Sequence, residues 1–152
     1  MSGQKKALRL WITLLICNLI FIWGNSLLPG WISGALSDWL RSVLKWLFPW
    51  SFKGQGGGGL LRKLFHFGEF ACLGICLTRV VYLLRASKVW QLLLPLLSGV
   101  AAAFLDECIQ ILVPGRGPAL KDVGIDTMGL TVGIVLIYCI QSIKNYLEEN
   151  KL

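Results

Sequence analysis

Acidic residues are scarce in this 152-residue chain: eight Asp and Glu stand against fifteen Lys and Arg, and histidine occurs once. Polar stretches are scarce too. Hydrophobic residues make up 55% of the chain, and a mean hydropathy of +0.66 lies well above that of a water-soluble domain. No A-x-A-like site follows the first apolar run, which is about 19 residues long where a signal-peptide core has roughly 7–15. That run therefore reads as a retained span. The glycine-rich stretch GQGGGG at 54–59 lacks the Gly-Lys-Ser/Thr ending of a phosphate-binding loop and reads as a flexible linker. No cysteine lies outside an apolar run, and an odd count placed in lipid excludes a disulfide framework. Cys72 and Cys76 share a helical face, but small apolar packing describes them better than a metal pair.

What is present in quantity is apolar sequence of membrane-spanning length. Four runs qualify, at about 10–28, 64–84, 89–113 and 125–143. The first carries no charge. The second is interrupted by His66, Glu69 and Arg79, the third by Asp106 and Glu107, and the fourth opens on Asp126. The expected fold is all-α: a single polytopic membrane domain of four transmembrane helices and one interfacial helix. Lys and Arg cluster at span ends and in loops, where they anchor to headgroups or snorkel, as Arg79 and Arg85 would. A nucleic-acid partner is thereby excluded and membrane lipids are expected. Lys and Arg number seven on each side of the four spans, so the charge rule ties. The first helix usually dominates, which places the termini in the cytoplasm.

Between the first two spans, WISGALSDWLRSVLKWLF has apolar residues at 32, 36, 39, 40, 43, 44 and 47. Ser33, Ser37, Arg41 and Lys45 fall on the opposite face. That period predicts an amphipathic helix over about 31–48 lying in the headgroup layer, with Trp31, Trp39, Trp46 and Trp50 at its apolar margin and ends.

Spans alternate in direction, so the polar residues can be placed. Asn25 and Ser26 close the first span, and His66 and Glu69 open the second. Asp106, Glu107 and Gln110 end the third, while Asp122 and Asp126 flank the start of the fourth. All belong to one side of the membrane, and five of the eight acidic residues share that layer. His66 and Glu69, three apart, share a helix face. Gly99, Ala103, Asp106 and Gln110 form one stripe. Asp122, Asp126, Gly129 and Gly133 form another, whose small-xxx-small half lets helices approach closely. A carboxylate near a span centre costs about 2.5–3.5 kcal/mol on insertion scales, so Asp106 and Glu107 require partners. His66, Arg116 and Lys121 are the cations at their level.

The stretches WGNSLLPG at 23–30, KLFHFGEFACLG at 63–74 and LDECIQILVPGRGPALKDVGIDTMGLTVG at 105–133 resemble the VanZ-like family. Its members are small bacterial membrane proteins, and the founding one is linked to low-level teicoplanin resistance. The resemblance covers all four spans. It implies a multi-pass protein of the bacterial cell membrane and a functional polar set: Asn25, Ser26, Lys63, His66, Glu69, Asp106, Glu107, Gln110, Arg116, Asp122 and Asp126. Ile109 stands where many members have histidine, so a mechanism needing two histidines does not carry over.

Plain structural roles exist for several of these residues. His66 and Glu69 fit an interhelical hydrogen-bonded pair, Asp126 an acid favoured by a helix dipole, and Arg116 in PGRGP a headgroup anchor. Functionally, three classes compete. The first is binding or alteration of an envelope component, lowering susceptibility to glycopeptides. The second is a membrane-embedded hydrolase or transferase acting on a phosphate-bearing lipid headgroup. There Asp106 or Glu107 is the base, His66 (with Glu69 beside it) the acid or orienter, and Arg116 the phosphate clamp. No cofactor or metal is assigned, although a hard divalent cation on Asp106, Glu107 and Asp126 is a variant of this class. The third, an ion path, is the weakest, because the other half of every span lacks acids to continue it.

Overall fold

The computed structural model describes residues 2–47, 58–117 and 119–150. Phe48, Trp50, Lys53, the glycines and Gln55 of 54–57, Pro118 and Lys151 lie outside the described residues. Among the described residues are five helices and no strand: α1 (Ser2–Ser26), α2 (Gly30–Leu47), α3 (Gly58–Leu83), α4 (Lys88–Ile111) and α5 (Leu120–Glu149). Four of them, α1, α3, α4 and α5, are long and apolar enough to cross a membrane. The all-α, four-span expectation holds.

The helices differ from the apolar runs at their ends. α1 starts at Ser2 and α5 continues to Glu149, because helical hydrogen bonding continues into polar flanks that hydropathy does not count. α4 stops at Ile111, and Leu112 and Val113 already turn ahead of Pro114, as the residue before a proline disfavours helix. The linker expected over 54–59 needs correction at its end. Gly58 and Gly59 open α3, where the first turn has no intrahelical N–H bonds to lose and the leucines behind them propagate the helix.

α3 and α5 pack closest of all, and glycine is the reason. A Cβ on Gly133 would collide with the Ala71 carbonyl oxygen, and one on Gly129 with that of Phe67. Lipid tails are as apolar as leucine, so close van der Waals contact of this kind has to supply the association energy. α1 runs antiparallel to α3. At one end Gln4 donates to the Leu83 carbonyl at 3.0 Å, and at the other Asn25 reaches Glu69. Most of α1 is exposed along Leu10, Ile16, Ile20 and Phe21, with Ile22 and Ser26 turned inward. Arg79 does more than snorkel. Its guanidinium lies over the Trp11 ring at 5.5 Å, tying α1 to α3 by a cation–π contact.

α2 exposes Trp31, Trp39 and Trp46. Its serine edge, expected to face water, turns partly into the protein: Ser33 is buried and Ser37 half-buried. Ser37 satisfies its hydroxyl by donating to the Ser33 carbonyl at 2.9 Å, so its partial burial strands no donor. The α4–α5 loop docks on the α1–α2 corner. The Gly30 N–H donates to the Pro114 carbonyl at 3.1 Å. Gly115 takes φ +75°, and its carbonyl leaves no room for a side chain on Gly30.

Candidate functional site

The polar ends of α1, α3, α4 and α5 meet in one buried cluster. α3 supplies His66 and Glu69, three residues apart on its inner face, with His66 Nδ1 3.5 Å from Glu69 Oε2. α4 supplies Asp106, fully buried, whose Oδ2 lies 4.0 Å from the same nitrogen. α5 supplies Asp126, whose Oδ1 is also 4.0 Å from it. One imidazole nitrogen therefore faces three carboxylates from three helices.

Amides from two elements hold this arrangement. Asn25 Nδ2 donates to Glu69 Oε1 at 3.0 Å. Gln110, one turn beyond Asp106, donates to its Oδ2 at 2.8 Å and lies 3.3 Å from the Ser26 hydroxyl. The neighbours Asn25 and Ser26 thus tie the end of α1 to α3 and α4 respectively. Still, several buried polar atoms have no hydrogen-bond partner: His66 Nδ1, Glu69 Oε2, Asp106 Oδ1 and both oxygens of Asp126. Buried polar atoms are normally satisfied, so this concentration in one place marks the cluster as more than packing.

Glu107 is separate. Turned about 100° from Asp106 around the helix, it accepts the Ala119 N–H at 2.9 Å. Ala119 is the N-cap residue of α5, where a carboxylate is favoured by the helix dipole. The adjacent acids of α4 therefore serve different places, one the bundle interior and one the loop. Arg116 turns inward from that loop and donates to the Asn25 carbonyl at 3.0 Å. Its Nε and second terminal nitrogen are buried without partners. Burial lowers the Arg116 pKa from its ordinary value, Arg62 adds to the effect, and Asp106 opposes it. A guanidinium remains charged regardless.

Beside the cluster opens a cleft of about 550 Å³ between α1, α2 and α3. Ile20, Phe21, Leu36, Trp39 and Phe65 give it an apolar lining, to which Asn25, Arg62 and Glu69 add polar groups. Glu69 faces both this cleft and the buried cluster.

A family model described as VanZ/LLP1 matches residues 8–141. The chain belongs to the VanZ/LLP1 family. No curated protein and no solved structure matches it. The matched stretch takes in most of each candidate span and every residue of the cluster, so this is a multi-pass VanZ-family membrane protein with its polar side chains gathered at one end of the bundle.

Of the residues singled out from sequence, Asn25, Ser26, His66, Glu69, Asp106, Gln110 and Asp126 converge. Asp122 sits at the edge, 3.6 Å from Arg62. Lys63 and Lys121 are exposed. Arg62 is the residue that sequence reasoning missed. It lies four residues before His66, hence on the same helix face, and that spacing was the available signal. The resemblance had directed attention to Lys63 next door.

Proposed function

We propose that this VanZ-family protein acts at the bacterial cell envelope by binding or altering a phosphate-bearing envelope lipid, and that it thereby lowers susceptibility to teicoplanin-type glycopeptides. The observation that supports this reading is the apolar cleft whose lining includes Asn25, Arg62 and Glu69. A lipid's acyl chain fits the lining of Ile20, Phe21, Leu36 and Phe65. Its anionic headgroup would then lie within reach of Arg62, with Arg116 nearby on the Asn25 carbonyl. Sites of this kind are mostly apolar with a few placed polar groups. The glycopeptide part of the reading comes from the family resemblance. Lys5, Lys6 and Arg9 in the first turns of α1 favour cytoplasmic termini. That orientation would put the Asn25 end of α1, the cleft and the cluster at the outer face, where a glycopeptide meets its target.

The second reading is turnover of the same lipid. The unpartnered oxygens of Asp106 and Asp126 beside His66 favour these residues as the reacting groups. Glu107 is a weaker candidate for the base, since Ala119 occupies one of its oxygens.

Gly24 provides the test. It lines the cleft, and a Cβ there meets nothing within 4 Å, so Gly24→Leu fills the space with the bundle left intact. In a glycopeptide-susceptible host, the parent should raise teicoplanin tolerance and Gly24→Leu, at equal membrane abundance, should not. Mass spectrometry of the purified parent should show a co-purifying phospholipid or lipid-linked precursor that the variant lacks. Equal tolerance from a filled cleft rules out cleft binding. A chemically changed lipid in cells expressing the parent separates turnover from binding.

A further inference from the structure

The structure assigns a binding site for one divalent transition-metal ion, of the zinc or manganese class, to His66, Asp106 and Asp126. Each offers one donor atom, and the three atoms lie within 4.8 Å of one another. The residues come from α3, α4 and α5, so the site exists only in the assembled bundle. His66 is 5% exposed, Asp106 0% and Asp126 1%.

The acidic character of the cluster is not what identifies a ligand. Asp126 is almost wholly buried, points into the cluster, and has no hydrogen-bond partner on either oxygen. His66 Nδ1 is likewise without one, at 4.0 Å from an oxygen of each aspartate. That separation is too long for an N–H···O bond. It is a few tenths of an ångström wider than the roughly 3.3–3.6 Å that tetrahedral bonds of about 2.0–2.2 Å impose on donors, so small side-chain rotations bring the three onto a shared ion.

Arg62 and Arg116 lie near the cluster, but neither forms an ion pair with Glu69, Asp106 or Asp126. Arg62 pairs with Asp122, and Arg116 donates to a backbone carbonyl. One proton on His66 cannot balance Asp106 and Asp126 together. A divalent ion with two carboxylates and a neutral imidazole is electrically neutral, the combination a low-dielectric interior tolerates best.

The surroundings are those of a supported metal site. Gln110 donates to Asp106 Oδ2, fixing that carboxylate, and Asn25 fixes Glu69, whose free Oε2 stands 3.5 Å from His66 Nδ1. Outer hydrogen bonds of this kind orient ligands. A nitrogen donor among oxygens favours zinc or manganese over magnesium or calcium. The set also differs from the all-carboxylate trio of Asp106, Glu107 and Asp126, because Glu107 is drawn away to Ala119.

The test uses the full chain purified in detergent on a histidine-free affinity tag. After chelator treatment and dialysis, zinc, manganese and magnesium are titrated separately, with metal content measured by mass spectrometry. One zinc or manganese ion per chain is expected, together with a raised melting temperature. His66→Ala and Asp126→Asn should each weaken binding by more than about 100-fold. Gln110→Ala, acting through Asp106, should weaken it by about 10–100-fold. Glu148→Gln, an exposed acid on the tail of α5, should bind as the parent does. Where a ligand variant is not recovered folded, the cobalt-substituted parent decides, since imidazole ligation gives paramagnetically shifted ring-proton resonances. Absence of a stoichiometric ion, binding of magnesium alone, parental affinity in the folded ligand variants, or cobalt without a histidine signal overturns the assignment.

Discussion

The side-chain amide of Asn25 donates to the Glu69 carboxylate across 3.0 Å, joining the end of α1 to α3. The Asn25 carbonyl meanwhile accepts from Arg116. A single residue at a helix end therefore connects the cluster, the cleft and the α4–α5 loop. Without this bond α1, most of which faces outward, would be held at that end chiefly by Ile22 and Ser26.

Asn25→Ala should be costly out of proportion to its size. It strands Glu69 Oε1 in a buried setting, a loss of about 1–3 kcal/mol. In a Glu69→Gln background the bond broken is between neutral groups, and the cost should fall to about 0.5–1.5 kcal/mol. Unfolding of the four proteins of this cycle in mixed micelles measures the difference. Equal costs in the two backgrounds would mean that Asn25 and Glu69 are not coupled.

Glycine substitutions on α5 should separate by position. Gly133→Val drives a side chain into the Ala71 carbonyl and should cost about 1–3 kcal/mol or more. Gly124, nine residues earlier on the same helix, meets nothing within 4 Å. Gly124→Ala should be neutral or stabilising by up to about 1 kcal/mol, since alanine suits a helix better. Detergent melting curves for both variants check this, and a tolerated Gly133→Val would remove the close α3–α5 approach from the account.

Long hydrophobic runs made the helices legible, because lipid demands about 20 apolar residues per crossing. The cluster was legible for a related reason. A carboxylate in an apolar run must find company, and alternating spans leave one layer in which Asn25, His66, Asp106 and Asp126 can meet. Sequence could not show how the adjacent acids divide. Asp106 and Glu107 separate only once the loop places the Ala119 N–H beside Glu107. Nor could it show that Ser33 turns inward, since that depends on how α2 leans over the cleft.

α2 should lie along the membrane surface. Trp39 and Trp46 are exposed on it and are separated by seven residues, about 10 Å of helix. In a background without native cysteines, spin labels at 39 and 46 should report the same shallow depth in bilayers. Depths differing by most of that length would describe a helix that enters the membrane, and the interfacial placement would have to be abandoned.

Arg116 offers the sharpest separation of anchor from ligand contact. One terminal nitrogen is committed to Asn25, while Nε and the other terminal nitrogen are buried without partners. Each of those two borders the committed nitrogen on a different edge of the guanidinium, so a phosphate at either edge is engaged in bidentate fashion by one of them together with the remaining N–H of that nitrogen. Gly115, at φ +75° and seated against Gly30, holds the turn that aims them, which limits the entropy lost on binding. Arg116→Lys keeps the charge and can still reach the Asn25 carbonyl, but it has no second edge. Teicoplanin tolerance in a susceptible host should therefore fall most of the way to the empty-vector level while membrane abundance stays unchanged. Parental tolerance in the lysine variant would leave Arg116 as a cap on α1 and nothing more, and the phosphate contact would then have to be sought at Arg62.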